Sequence, residues 1–138
     1  MTDIEKAKSL LINDKTLVFV KGDDVVYSSL SGIKPLITFL NEGINLEGYS
    51  LADKIIGKAQ AMLCVKAKIR EVYGKVISKG GQKILEKYGI PYTYDTLTDE
   101  IINRKGTDVC PMEKIVTNIE NIEEAYLVLK EKIREMNL

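Results

Sequence analysis

Histidine is missing from this chain of 138 residues, and cysteine occurs only twice, at Cys64 and Cys110. Without imidazole, no Ser-His-Asp triad, Cys–His dyad or histidine metal site can be assembled. Two such thiols make no disulfide framework, and they suit a reducing cytoplasm. No run approaches the ~20 apolar residues that a membrane helix needs. Met1-Thr2-Asp3-Ile4-Glu5-Lys6 places acidic residues where a signal peptide would be apolar. Neither a membrane span nor a signal peptide is expected. Neither charge is in excess, since 20 Lys and Arg balance 20 Asp and Glu. A net charge of zero gives no general attraction to nucleic acid or an anionic membrane, so any anion site must be local.

What is present reads as one globular domain over residues 1–138, with enough apolar residues for a core. Thr2-Asp3-Ile4-Glu5 is a capping-box pattern. With Ile4, Ala7, Leu10 and Leu11 at helical spacing, it predicts a helix over 3–13. Leu17–Val20 and Val25–Ser28, around a Lys-Gly-Asp-Asp turn, predict an antiparallel hairpin. Ser31 is placed to cap a helix reaching Asn41, with Pro35 in its first turn and Gly43 at its end. Ser50-Leu51-Ala52-Asp53 looks like a second capping box, opening a helix over 51–67. That helix would be apolar on both sides and hence central. Val72–Ser78 predicts a strand, 81–88 a helix ended by Gly89, and 91–94 a strand. Residues 98–102 read as one helical turn and 103–108 as a polar loop. Pro111 opens a further helix, and 121–136 forms the C-terminal one, with Ile122, Tyr126, Leu129 and Ile133 on one face. A hairpin followed by β-α-β predicts an α/β fold, a mixed sheet sandwiched between helices.

Four groups of residues could carry chemistry. Lys54 and Lys58 would share a face of the 51–67 helix near its N-terminus, with Gly57 between them. Their repulsion and the glycine both cost helix stability, which makes sense if an anion or another backbone comes close. Alternatively, both lysines extend into water. Asp53 would cap that helix, or act as a general base beside Lys54. Lys79-Gly80-Gly81 joins a strand end to a helix start, where amides form anion-binding nests, although Walker spacing is absent. Cys110 stands at the N-cap of the Pro111 helix. The dipole would favour a thiolate there, Asp108 and Glu113 would oppose it, and a plain buried thiol is the alternative. Glu113 would cap its own helix. Asn103-Arg104 could contact a carboxylate or phosphate.

Asp53-Lys54-x-x-Gly57-Lys58-Ala59, Val72-Tyr73, Ile77-Ser78, Asn103-Arg104 and Cys110-Pro111-Met112-Glu113 together resemble a prokaryotic family known as domain of unknown function 1893, DUF1893. The resemblance spans roughly residues 15 to 120. It implies a cytidine-deaminase-like fold, with a pocket at the N-termini of two central helices. Asp53, Lys54, Lys58, Ser78 and Lys79 would point towards it, joined by Cys110 and Glu113 if their helix packs over the same edge. Activity does not follow from fold. Zinc deaminases use H-x-E and P-C-x-x-C at those helix starts. Here the motifs would fall on Leu51-Ala52-Asp53 and Ser78-Lys79-Gly80-Gly81, which offer no zinc ligand set.

Three functions therefore compete, none needing a metal or cofactor. One is a module binding a small anion, nucleotide-like or phosphorylated, through Lys54, Lys58, Ser78, Lys79, Gly80, Asn103 and Arg104. Another is a metal-free enzyme, with Asp53 or Glu113 as acid/base and Lys54 or Cys110 as nucleophile. The third is an interaction module whose pocket is vestigial, with homo-oligomerisation left open.

Overall fold

A computed structural model of the chain describes residues 1–103 and 105–136. The elements in chain order are α1 (Asp3–Leu10), β1 (Leu17–Lys21), β2 (Asp24–Ser28), α2 (Lys34–Asn41), β3 (Ser50–Ile56), α3 (Lys58–Ala67), β4 (Glu71–Ser78), α4 (Lys79–Lys87), β5 (Tyr92–Thr98), α5 (Pro111–Val116) and α6 (Ile122–Met136). The five strands form one sheet in the order β2-β1-β3-β4-β5. β1 pairs antiparallel with both β2 and β3, whereas β3, β4 and β5 run parallel. The α/β class and the mixed sheet between helices follow the sequence expectation.

The sheet buries its two faces unequally. On one, Leu17, Phe19, Leu51 and Val72 join a large core with Met62, Leu63 and Leu129 from the helices above. On the other, Val18, Val20, Ala52 and Tyr73 pack around Ala7 of α1. Thr2 caps α1 through the expected capping box, its hydroxyl accepting from Glu5 N at 3.3 Å. In α6, Tyr126 and Leu129 are buried, with Ile122 and Ile133 packed beside them on the predicted face. Gly43 and Gly89 follow the ends of α2 and α4 at φ +75° and +70°, a conformation that costs glycine little.

The predicted 51–67 helix is wrong in its first part. Residues Ser50–Ile56 are the central strand, and α3 starts only after Gly57. Leu51 lies opposite Phe19 on one side and Val72 on the other, so both edges of the strand are hydrogen-bonded. Leu51 and Ala52 are buried on opposite faces. A strand covered on both faces loses the polar–apolar alternation that would reveal it. Residues 98–102 are likewise no helical turn, because Thr98 ends β5 and Ile102 bridges to Val109 across a loop. Ser31 does not cap α2, whose N-cap is Ile33.

Candidate functional site

Three parallel strands end side by side, and two of them feed helix starts. Ile56 of β3 pairs with Ile77 of β4, and Ser78 with Thr98 of β5. Gly57 is the N-cap of α3 and Ser78 the N-cap of α4. The Ser78 hydroxyl accepts from Gly81 N at 3.0 Å. The two starts touch through backbone, since a Cβ on Gly81 would sit 3.0 Å from the carbonyl oxygens of Ile56 and Gly57. Neither helix carries an acidic residue in its first turn. Two positive dipole ends thus meet with no local counter-charge.

α5 supplies that charge to one of them. Glu113 reaches across so that Lys58 N donates to its Oε1 at 2.7 Å and Ala59 N to its Oε2 at 2.9 Å. Gly57 makes the room, because a Cβ there would lie 2.1 Å from Oε1. Burial raises the Glu113 carboxyl above its usual value, while the two amide bonds and the Lys58 charge oppose that rise. The Lys58 ammonium bonds the Thr117 carbonyl at 3.2 Å and pairs with Glu120 at 3.5 Å. Glu113 caps α3 rather than its own helix, and it does so from 55 residues away in sequence.

Beside these groups lies an open cavity of about 340 Å³. Its lining includes Lys58, Ser78, Gly80 and Lys83 from the two helix starts, and Asp99, Glu100, Glu113 and Glu120 from later segments. It occupies the carboxyl edge of the parallel strands, where α/β sheets usually bind ligands. Losing the Ser78 hydroxyl should loosen this edge. Ser78→Ala should cost about 1 kcal/mol, read as a lower urea midpoint, because it removes the α4 cap from a buried amide.

A family model described as a domain of unknown function, DUF1893, matches residues 5–133. The chain belongs to the DUF1893 family. A crystal structure of a DUF1893 family protein from Thermotoga maritima matches this DUF1893 chain with a TM-score of 0.86 and 30% identity. The match covers 94% of this chain and 89% of that one. None of the curated proteins matches.

The cavity of this DUF1893 chain gathers only part of what the sequence suggests. Lys58, Ser78, Gly80 and Glu113 line the cavity together. Asp53 is buried in β3 beneath α3, bonded to Gln60 at 2.8 Å, and caps no helix. Lys54 lies on the same strand and donates to the Asn13 carbonyl at 3.3 Å. Lys54 and Lys58 therefore share no helix face, a consequence of β3 replacing the first half of the expected helix. Lys79 is exposed and pairs with Asp99 at 2.8 Å. Cys110 is the N-cap of α5, half-buried against the core, with no side-chain cap bond. Asn103 accepts from Thr107 N at 3.1 Å and so braces its own loop. Arg104 lies outside the described residues. The helix start expected at Leu51-Ala52-Asp53 lies instead at Gly57-Lys58-Ala59-Gln60. Among the described residues, no three Asp, Glu or Cys side chains group to hold a metal. Lys83, Asp99, Glu100, Thr117 and Glu120 escape sequence reasoning, for nothing local to them signals a pocket. A glycine N-cap followed by a first turn without acid was the available hint that α3 takes its counter-charge from elsewhere.

Proposed function

We propose that this chain is a small-molecule-binding domain whose ligand carries an anionic group, seated in the cavity at the ends of β3, β4 and β5. One observation carries the reading: Glu113 neutralises the start of α3, while α4 opens onto the cavity with no acid in its first turn. The amides of Lys79 and Gly80 have no intrahelical acceptor, and the helix dipole favours an anion beside them. Lys83 adds a cation from the next turn of α4. Asp99, Glu100 and Glu120 argue against a bare polyanion. They suit a ligand whose remainder bears hydroxyl or amino groups, such as a nucleotide or a phosphorylated sugar. The strand order and the paired helix starts support a cytidine-deaminase-like architecture without its chemistry.

The test is a thermal-shift screen of nucleoside monophosphates and sugar phosphates. Ligand at about one hundred times its Kd should add ~2.7 kcal/mol of stability. Lys83→Met should remove that gain and leave the unliganded melting temperature unchanged. If no phosphorylated compound raises the melting temperature, the reading fails. Glu113 favours a second reading, a metal-free enzyme, because it is a half-buried cavity carboxyl with a raised pKa, as a general acid requires. In that case Glu113→Gln would abolish turnover while ligand still stabilised the protein.

A further inference from the structure

β3 buries a carboxyl group that no cation among the described residues faces. Asp53 is 6% exposed. Its Oδ2 accepts from Gln60 Nε2 at 2.8 Å and its Oδ1 from Ile55 N at 3.3 Å. The positions opposite it on the neighbouring strands are uncharged, Leu17 on β1 and Gly74 on β4. Of the three titratable groups on α3, Lys58 is engaged by Thr117 and Glu120 and Lys66 by Glu123. The third, Cys64, is fully buried, and burial and the Asp53 charge both push its thiol up. Lys54, next in the chain, is committed to the Asn13 carbonyl. A second anomaly lies in contact with the first. Gln60 is 2% exposed, and its Oε1 has no hydrogen-bond partner among the described residues. A buried acceptor left without a partner is unfavourable, because it has given up its bonds to water.

A single proton resolves both anomalies. A carboxylic acid can face a primary amide through two bonds, amide N–H to the acid's carbonyl oxygen and acid O–H to the amide oxygen. The first of these is the bond from Gln60 Nε2 to Asp53. We propose that Asp53 is held as a neutral acid whose O–H is donated to Gln60 Oε1, and that this pair is a proton-operated catch between β3 and the first turn of α3. Loss of the proton leaves a bare charge beneath α3 and orphans the amide oxygen again. Gln60 follows Lys58 and Ala59, whose amides hold Glu113 at the cavity. The protonation state of Asp53 therefore reaches the cavity wall through one helical turn. Burial raises the Asp53 carboxyl from 3.8 to about 7, so the catch operates near neutral pH. The inference does not depend on the proposed ligand.

The experiment is an NMR titration of the wild-type chain carrying carbon-13 aspartate and nitrogen-15 amides. The Asp53 carboxyl carbon, assigned through its backbone, should titrate with a midpoint near 7, against 3.8 for an unburied aspartate. The amides of Lys58, Ala59 and Gln60 should move with the same midpoint. Asp53→Asn, which keeps a neutral donor beside Gln60 Oε1, should remove that step from all three amides, leaving at Lys58 and Ala59 only the response to Glu113, to which they are bonded. An Asp53 midpoint in the ordinary carboxylate range overturns the proposal. So do α3 amides that ignore the Asp53 titration. Both readings come from the wild-type chain, so the outcome stands even if the variant fails to fold.

Discussion

Gly57→Ala should expel Glu113 from the start of α3 and lower stability by about 3 kcal/mol. The backbone is not the obstacle, because Gly57 has φ −99°, which alanine adopts freely. The obstacle is the Glu113 carboxylate, 2.1 Å from the new Cβ at Oε1 and 2.5 Å at Cδ. Displacing it breaks two hydrogen bonds to a charged group, each contributing roughly 1.5–3 kcal/mol. Relaxation of the short α5 should recover part of that loss. The decisive comparison is Gly57→Ala made in a Glu113→Ala background. With the carboxylate gone, the three atoms nearest the methyl group are gone too, and the poorer N-cap should cost about 1 kcal/mol or less. Urea unfolding of the two single variants and the double variant should thus give a coupling of about 2 kcal/mol. Additive losses would mean that Gly57 serves something other than Glu113.

The second large effect is a stability maximum on the acid side of neutrality. The Asp53 carboxyl is raised by burial from 3.8 to about 7, so the folded chain binds this proton more tightly than the unfolded one. Its contribution is fully present below about pH 4 and disappears as pH rises through about 7. Between those limits stability should fall by about 1.4 kcal/mol per pH unit, up to about 4 kcal/mol in all. Glu113, also raised by burial, acts in the same direction. Glu5, Asp99, Asp108 and Glu131 act oppositely, since hydrogen bonds or cation partners lower each of them. Their contribution is lost only as pH drops below the ordinary carboxylate range, which gives the acid limb. Urea unfolding at pH 4.5 and pH 7.5 should find the wild-type chain more stable at the lower pH, and Asp53→Asn should remove most of the difference.

Local signals carried far in this chain where local structure also decided the outcome. Thr2 and Glu5 specify the start of α1, and Gly43 and Gly89 mark helix ends, because caps and left-handed residues act over a few positions. The four apolar residues of α6 identify its buried face for the same reason. β3 was illegible because it is made elsewhere. Ser50-Leu51-Ala52-Asp53 has weak strand propensity and mimics a capping box, and only pairing with β1 and β4 makes it extended. The site divides along the same line. Ser78, Gly80 and the strand-to-helix turn at Lys79 were readable, being contiguous in sequence. The Glu113 cap of α3 and the acidic part of the cavity lining join distant segments, and no spacing rule links them. Reading β3 as helix also puts Lys54 and Lys58 on one helix face, whereas Lys54 lies on β3 and Lys58 begins α3.

The central claim is that α4 and its cavity receive a ligand while Glu113 keeps the start of α3 closed. An amide NMR titration with nucleoside monophosphates and sugar phosphates tests it most directly. The account predicts saturable shifts at Lys79, Gly80 and Lys83, with the Lys58 and Ala59 amides still bonded to Glu113. Saturable shifts at Lys58 and Ala59 that leave Lys79 and Gly80 unmoved would contradict it, as would shifts at neither helix start.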